Sequence, residues 1–377
     1  MLLLFFCGVW LAWFLAGKLY RNYWNRNLTL QLSFRDAVLC EGDTSSIRET
    51  VINDKLLPLP AIEVRFAADR SLEFQNDARA NSSASDQRYK RDVFSFLFHQ
   101  KIERTLPFVP HRRGLYQITS ASVTGYDFFF RSGYYMDVPQ QTSLFVWPRQ
   151  VDTRRITLLY QAVSGILLSK SRLYPDPFEF AGIREYQRSD PRNHINWKAT
   201  ARMGALMTNQ FDSTTDLALT VLLDLEDELI LKYGELNEES IRIASSLAAR
   251  FVKNRLAFTI KSNVTDLTTG TPFSMALAAD AGSPSGLNQK LACIDTARTS
   301  VSTAGLIAAE AEAKRADHTY VLISKNKNTG LLKSLSALTG MGNQVLWILP
   351  LLSSEHSSPG DLPRTSAGIT VLPWEVS

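Results

Sequence analysis

Two hydrophobic rhythms divide this chain of 377 residues near Leu217. Before that point apolar residues come singly, alternating with polar ones. Leu28, Leu30 and Leu32 take turns with Thr29, Gln31 and Ser33, and Ile62, Val64 and Phe66 repeat the pattern. A period of two is that of a half-buried strand. After it the chain reads strand, helix, strand. Leu217–Leu225 is strongly apolar, the mark of a strand covered on both faces. Helix periodicity follows over 237–253, 304–315 and 330–338. Further short strands fall at 256–260, 319–324, 344–351 and 368–372. One core cannot serve both rhythms, and the length alone predicts two or three domains.

The first rhythm predicts an immunoglobulin-like β-sandwich over 27–150, with a polar loop at 71–92 centred on residues 81–86. The second predicts an α/β domain over 205–377, its mostly parallel sheet flanked by helices on both sides. Residues 151–204 are a connector, broken firmly at Pro175-Asp176-Pro177.

The N-terminus carries a separate signal. Met1–Gly17 has no charged side chain, and Lys18, Arg21 and Arg26 follow among Tyr20, Tyr23 and Trp24. At ~1.5 Å per residue this span reaches roughly 25 Å. It predicts a single-pass transmembrane anchor over 1–17 in a cell membrane, with the remaining domains in the cytoplasm. A cleaved signal peptide is the competing reading, weakened by the absence of a basic residue before the apolar run. Cys7, Cys40 and Cys293 are scattered and imply neither a disulfide framework nor a zinc site. The net charge of +4 does not indicate a nucleic-acid binder.

The densest polar chemistry lies between Gly182 and Phe211: Arg184, Glu185, Tyr186, Asp190, Arg192, Asn196, Trp197 and Arg202. Asp190-Pro191 reads as a helix start, with the helix running to Met203 and stopping at Gly204. An extended strand over 195–201 is the alternative. Arg184 or Arg192 can pair with Glu185 or Asp190 and lock the segment. Either these residues staple the connector to the α/β domain, or they present a docking surface on which Trp197 and the arginines meet a partner.

Gly182, Arg184, Glu185, Tyr186, Asp190, Arg192, Ile195, Trp197, Thr200, Ala201 and Arg202 together resemble the signature of the bacterial domain-of-unknown-function family fifty-eight. Ser189 departs from the glycine usual there. The order of segments, including Arg113-Gly114-Leu115-Tyr116 in the strand-rich half, is similar as well. Members are commonly encoded beside MoxR-type AAA+ ATPases. The resemblance implies a von Willebrand factor A-like C-terminal domain and such an ATPase, with other membrane proteins, as partners. It also implies a Mg²⁺ site after the first strand of that domain. The matching residues here are Asp224, Glu226 and Glu228, with glutamates in place of both expected serines. Longer, charged side chains crowd a small octahedral ion. The expectation is therefore a degenerate site with no obligatory cofactor, weak Mg²⁺ or Ca²⁺ binding being the minority alternative.

Enzyme signals are poor. His99, His111, His194, His318 and His356 are dispersed, and no phosphate-binding glycine loop or nucleophile elbow occurs. The leading expectation is a membrane-anchored cytoplasmic adaptor that is not itself an enzyme, serving a chaperone-like or envelope-maintenance system. The rivals are a metal-dependent hydrolase built on the Asp224 cluster and a structural envelope protein without an ATPase partner.

Overall fold

The computed structural model describes residues 2–75, 87–128, 130, 132–173, 180–187, 190–211, 219–227, 234–267, 269–352, 363 and 368–376. The chain forms two compact units: Met1–Arg149 with Leu291–Cys293, and Gln150–Lys290 with Ile294–Ser377.

The first unit holds helix α1 (Leu2–Tyr23) and strands β1 (Leu28–Phe34), β2 (Val38–Cys40), β3 (Ser45–Asn53), β4 (Leu59–Asp69), β5 (Leu72–Phe74), β6 (Gln87–Phe96), β7 (Gln100–Pro110), β8 (Gly114–Tyr126) and β9 (Gly133–Trp147). One sheet runs β1-β3-β7-β5 and the other β2-β9-β8-β4-β6. Both feed one core: Leu30, Ile47, Val51 and Phe108 from the first, Ile62, Val64, Val123 and Val146 from the second. Alternation along each strand sends these side chains inward.

The end of α1 belongs to that core. Tyr20 is buried, as is Trp24 just beyond the helix. The Tyr20 hydroxyl donates to the Tyr126 carbonyl at 2.8 Å, and the Trp24 ring stacks on Tyr134 with centroids 6.2 Å apart. Burying such a ring is worth about 2–3 kcal/mol. Gly125 makes room for it, because a Cβ there would overlap the indole.

The inward row of β3 is not all apolar: Ser45, Glu49 and Asn53 share it with Ile47 and Val51. Glu49 is fully buried. Neither of its carboxyl oxygens meets a hydrogen-bond donor. Its neighbour across the core is Asp92 of β6, which accepts from Arg104 Nη1 at 2.6 Å. Burial first, then the Asp92 carboxylate, pushes Glu49 up to about 8, against the lesser pull of Arg104 and Lys90.

The second unit contains α2 (Thr153–Leu173), β10 (Phe180–Glu185), α3 (Trp197–Met203), β11 (Met207–Phe211), β12 (Leu219–Leu223), α4 (Gly234–Lys253), β13 (Phe258–Asp266) and β14 (Pro272–Leu277). It continues with α5 (Ser285–Ala292), β15 (Ile294–Thr299), α6 (Thr303–Glu312), β16 (Thr319–Ile323), α7 (Thr329–Thr339), β17 (Gln344–Leu352) and β18 (Ile369–Val376). The large sheet runs β14-β13-β12-β16-β17-β18, with β15 also on β13. It is mixed: β13, β12, β16, β17 and β18 are parallel neighbours, while β14 and β15 run antiparallel to β13. Every residue of β12 and β16 is buried, as strands covered on both faces require. Tyr320, Leu322 and Trp347 pack with Ile307 of α6 and Leu331, Leu335 and Leu338 of α7. The neighbours of β12 lie on opposite sides, β13 on one and β16 on the other. Such a switch point opens a crevice beyond the strands' C-terminal ends.

The membrane anchor, with the location and partners that followed from it, and the fold class are corrected here. Among the described residues no helix is long and apolar enough to cross a membrane, so a single-pass anchor, a cell-membrane location and membrane partners are not supported. The physical reason lies in the last turns of α1: Lys18 and Arg21 are exposed there, while Tyr20 and Trp24 are committed to the sandwich core. The fold class also changes. The chain is mostly β, 45% strand against 28% helix, and a von Willebrand factor A-like parallel α/β fold behind a transmembrane helix is not supported. The long strands of the first unit and the antiparallel β14 and β15 account for the excess of strand.

Candidate functional site

The signature folds into a small platform. Its base is the antiparallel pair β10–β11, with Arg184 opposite Thr208 and Glu185 opposite Met207. Between the strands lie a 3₁₀ turn at Arg192–His194, a bridge from Ile195 to Thr208, and α3. The expected helix start at Asp190 is not there. Asp190 instead receives both guanidinium arms of Arg184, Nη1 at 2.8 Å and Nη2 at 2.7 Å. It also accepts the Gln187 N–H at 2.8 Å, and its carbonyl accepts the Tyr186 hydroxyl at 3.2 Å. Arg184 first, then the Gln187 amide, holds the Asp190 carboxyl below the usual carboxylate range. The alternative strand over 195–201 reduces to the single bridge at Ile195.

Asn196 caps α3. Its side-chain oxygen accepts the Ala199 N–H at 2.9 Å and its amide donates to Asn209 at 2.7 Å. Thr200 Oγ1 accepts the Met207 N–H at 3.0 Å. Gly204, at φ 70°, ends the helix in the left-handed region that a residue with a Cβ resists. No residue of the 3₁₀ turn or of α3 is buried. Polar side chains therefore hold this element in place and leave its apolar groups outward: Trp197 is 68% exposed, Met203 69% and Leu206 48%. Glu185, Arg192 and Arg202 are exposed as well.

A second cluster sits at the crevice beyond β12 and β16. Asp224 follows β12 directly and is fully buried. Its Oδ1 accepts from Thr303 Oγ1 at 2.6 Å, Asn263 Nδ2 at 2.7 Å and the Glu226 N–H at 3.0 Å. Its Oδ2 accepts from Ser324 Oγ at 2.6 Å and Asn326 Nδ2 at 2.9 Å. Glu226 turns back onto the first turn of α6, its Oε2 accepting the Thr303 N–H at 2.6 Å and lying 2.8 Å from the Thr303 hydroxyl, whose one proton it shares with Asp224. That places a carboxylate against the positive end of a helix. Lys325, nearly buried, pairs with Asp227 at 2.7 Å and also donates to Asn237.

A carboxylate offers about four lone-pair directions, and five donors converge on Asp224. Glu226 is spent on α6, and the ammonium of Lys325 supplies the positive charge beside Asp227. The residues present do not fit a resident Mg²⁺ or Ca²⁺. Among the described residues no group of three or more His, Cys, Asp or Glu is arranged to hold a metal, and Glu228 lies outside those residues. Asn263, Thr303, Ser324 and Asn326 were not legible as partners of Asp224, nor was Lys325 as the partner of Asp227. The one available signal is position, since Ser324 ends a buried strand and Thr303 begins a helix.

No family model and no curated protein matches this chain. Solved structures similar to part of it include a CARDB domain from Pyrococcus furiosus in complex with di-metal ions, at 14% identity, covering 32% of this chain and 90% of that one, TM-score 0.21. A non-cellulosomal cohesin from Archaeoglobus fulgidus shares 10% identity over 35% of this chain and 97% of that one, TM-score 0.23. The seventh ScaB type I cohesin of Pseudobacteroides cellulosolvens shares 11% over 33% and 95%, TM-score 0.20. Likeness at this level carries no argument about chemistry or partners.

Proposed function

We propose that this protein is an adaptor that docks a partner protein on the signature platform. One observation carries the reading: an element with no buried residue is held rigid by polar bonds and presents Trp197, Met203 and Leu206 outward. Exposed tryptophan and arginine on a fixed support are what an interface anchor needs. A platform ordered before binding loses little freedom on docking, so more of the contact energy appears as affinity. The mechanism is recognition and positioning.

The resemblance of the signature to family fifty-eight names the partner we favour, a MoxR-type AAA+ ATPase that would itself hydrolyse ATP. The hydrolase reading gains no support from Asp224, whose oxygens are already taken by donors. The test is crosslinking between the purified chain and a MoxR-type ATPase encoded beside it. Wild-type crosslinks that disappear in Trp197→Ala support the adaptor. Absence of any crosslink sinks the ATPase assignment.

A further inference from the structure

The platform has a charge as well as a shape. From Pro191 to Phe211 the chain contains no aspartate or glutamate, while Arg192, Lys198 and Arg202 are all exposed. None of the three has an acidic partner among the described residues. The neighbouring cation, Arg184, is already neutralised by Asp190. Lys198 and Arg202 stand four residues apart on α3, so they form one stripe. Trp197 and Ala201 form the adjacent stripe, and Met203 at the last position of the helix and Leu206 beyond it are exposed apolar groups of the same element and its exit.

We propose that the ligand of this platform is an acidic protein segment carrying bulky apolar side chains, its carboxylates on Lys198, Arg202 and Arg192 and its apolar group against Trp197. The inference rests on the docking reading above and specifies its chemistry. Three cations with no acidic partner among the described residues repel one another and are relieved by an anionic partner, which steers approach and fixes register. Apolar contact supplies the part of the affinity that salt does not screen. A nucleic acid would satisfy the cations alone. It has less use for exposed Met203 and Leu206, and the chain's net charge of +4 is small for such a binder.

The test uses the full chain and fluorescence anisotropy with four labelled probes: a twelve-residue peptide of alternating Glu and Leu, the same peptide with Gln for Glu, the same peptide with Lys for Glu, and a twelve-nucleotide oligouridine. The acidic peptide is expected to bind at least about tenfold more tightly than the Gln peptide, and to weaken as salt rises. Trp197→Ala should weaken it at every salt concentration. Lys198→Glu with Arg202→Glu should abolish it, and that double variant should instead bind a Lys-Leu peptide, which shows that the platform still folds. Equal binding of the acidic and Gln peptides would overturn the proposal, as would tighter binding of oligouridine. Acidic-peptide binding without ATPase crosslinking leaves this inference standing and removes the ATPase. ATPase crosslinking that excess acidic peptide does not displace removes this inference and keeps the adaptor.

Discussion

Glu49 makes the sandwich pH-sensitive, and Glu49→Gln should remove that sensitivity. In the folded unit the Glu49 carboxyl is sealed between the sheets beside Asp92 and keeps its proton up to about 8. In the unfolded chain it ionises near its ordinary value of 4.5. Between those two values the unfolded state releases a proton that the folded state retains. Stability must therefore fall as pH rises through the window, by up to about 1.4 kcal/mol per pH unit, and level off above it. Across the whole window the loss is bounded at about 5 kcal/mol. Glu49 and Asp92 titrate as a coupled pair, so part of that change belongs to the pair, and the expected loss is about 2–4 kcal/mol. A glutamine of nearly the same shape does not titrate. The assay is urea unfolding of wild type and Glu49→Gln at pH 5, 6, 7, 8 and 9. Hydrogen exchange at β3 and β7 amides assigns the transition to this unit. The gap between the two proteins should grow in favour of Glu49→Gln from pH 5 to about 8 and then stay constant. Parallel curves, or a gap that grows only as pH falls, would refute the raised Glu49 pKa.

Three further outcomes follow from the same geometry. Asp224→Ala strands the donors of Asn263, Thr303, Ser324 and Asn326 in a buried site, so it should cost about 3–5 kcal/mol; thermal melts should show the loss, and Mg²⁺ should not shift the wild-type melting temperature. Gly125→Ala forces the Trp24 ring out of its seat and should destabilise the first unit by about 1–3 kcal/mol, read by denaturant unfolding with Trp24 as the altered fluorophore. Asn196→Ala removes the α3 cap and should cost about 1 kcal/mol locally, visible as faster hydrogen exchange at Ala199 and Thr200 with the large sheet unchanged.

What the sequence disclosed depended on how local the cause was. Leucines alternating over 28–34 are β1, and the helix period over 237–253 is α4, extended upstream to Gly234. The apolar stretches at 319–324 and 344–351 are β16 and β17. Residues 151–173 were read as connector although Ile156, Leu159, Val163 and Leu167 recur at helical spacing; they are the buried face of α2. The strands and helix between 261 and 303 were missed in part because β14 and β15 owe their place to antiparallel pairing with β13, which no local pattern announces. Asp190 followed by proline is a fair helix start locally, yet Arg184 claims its carboxylate. The side-chain donors on Asp224 come from residues 39 to 102 positions away along the chain, beyond what spacing can reveal. Glu49 did leave a trace: it sits between Ile47 and Val51 on the inward face of β3, a violation of patterning that marks buried polar chemistry. The apolar start of the chain misled because composition resembles a membrane span whether its aromatic end meets lipid or, as Tyr20 and Trp24 do, a protein core.

The adaptor account stands on Trp197 being a contact rather than a support. The direct measurement is calorimetric titration of a MoxR-type ATPase into wild type and Trp197→Ala, with the melting temperature of each protein taken alongside. The account predicts saturable binding to wild type, loss of at least about tenfold in affinity for the variant, and equal melting temperatures. Undiminished binding by Trp197→Ala, or a loss of binding matched by a fall in melting temperature, would contradict it.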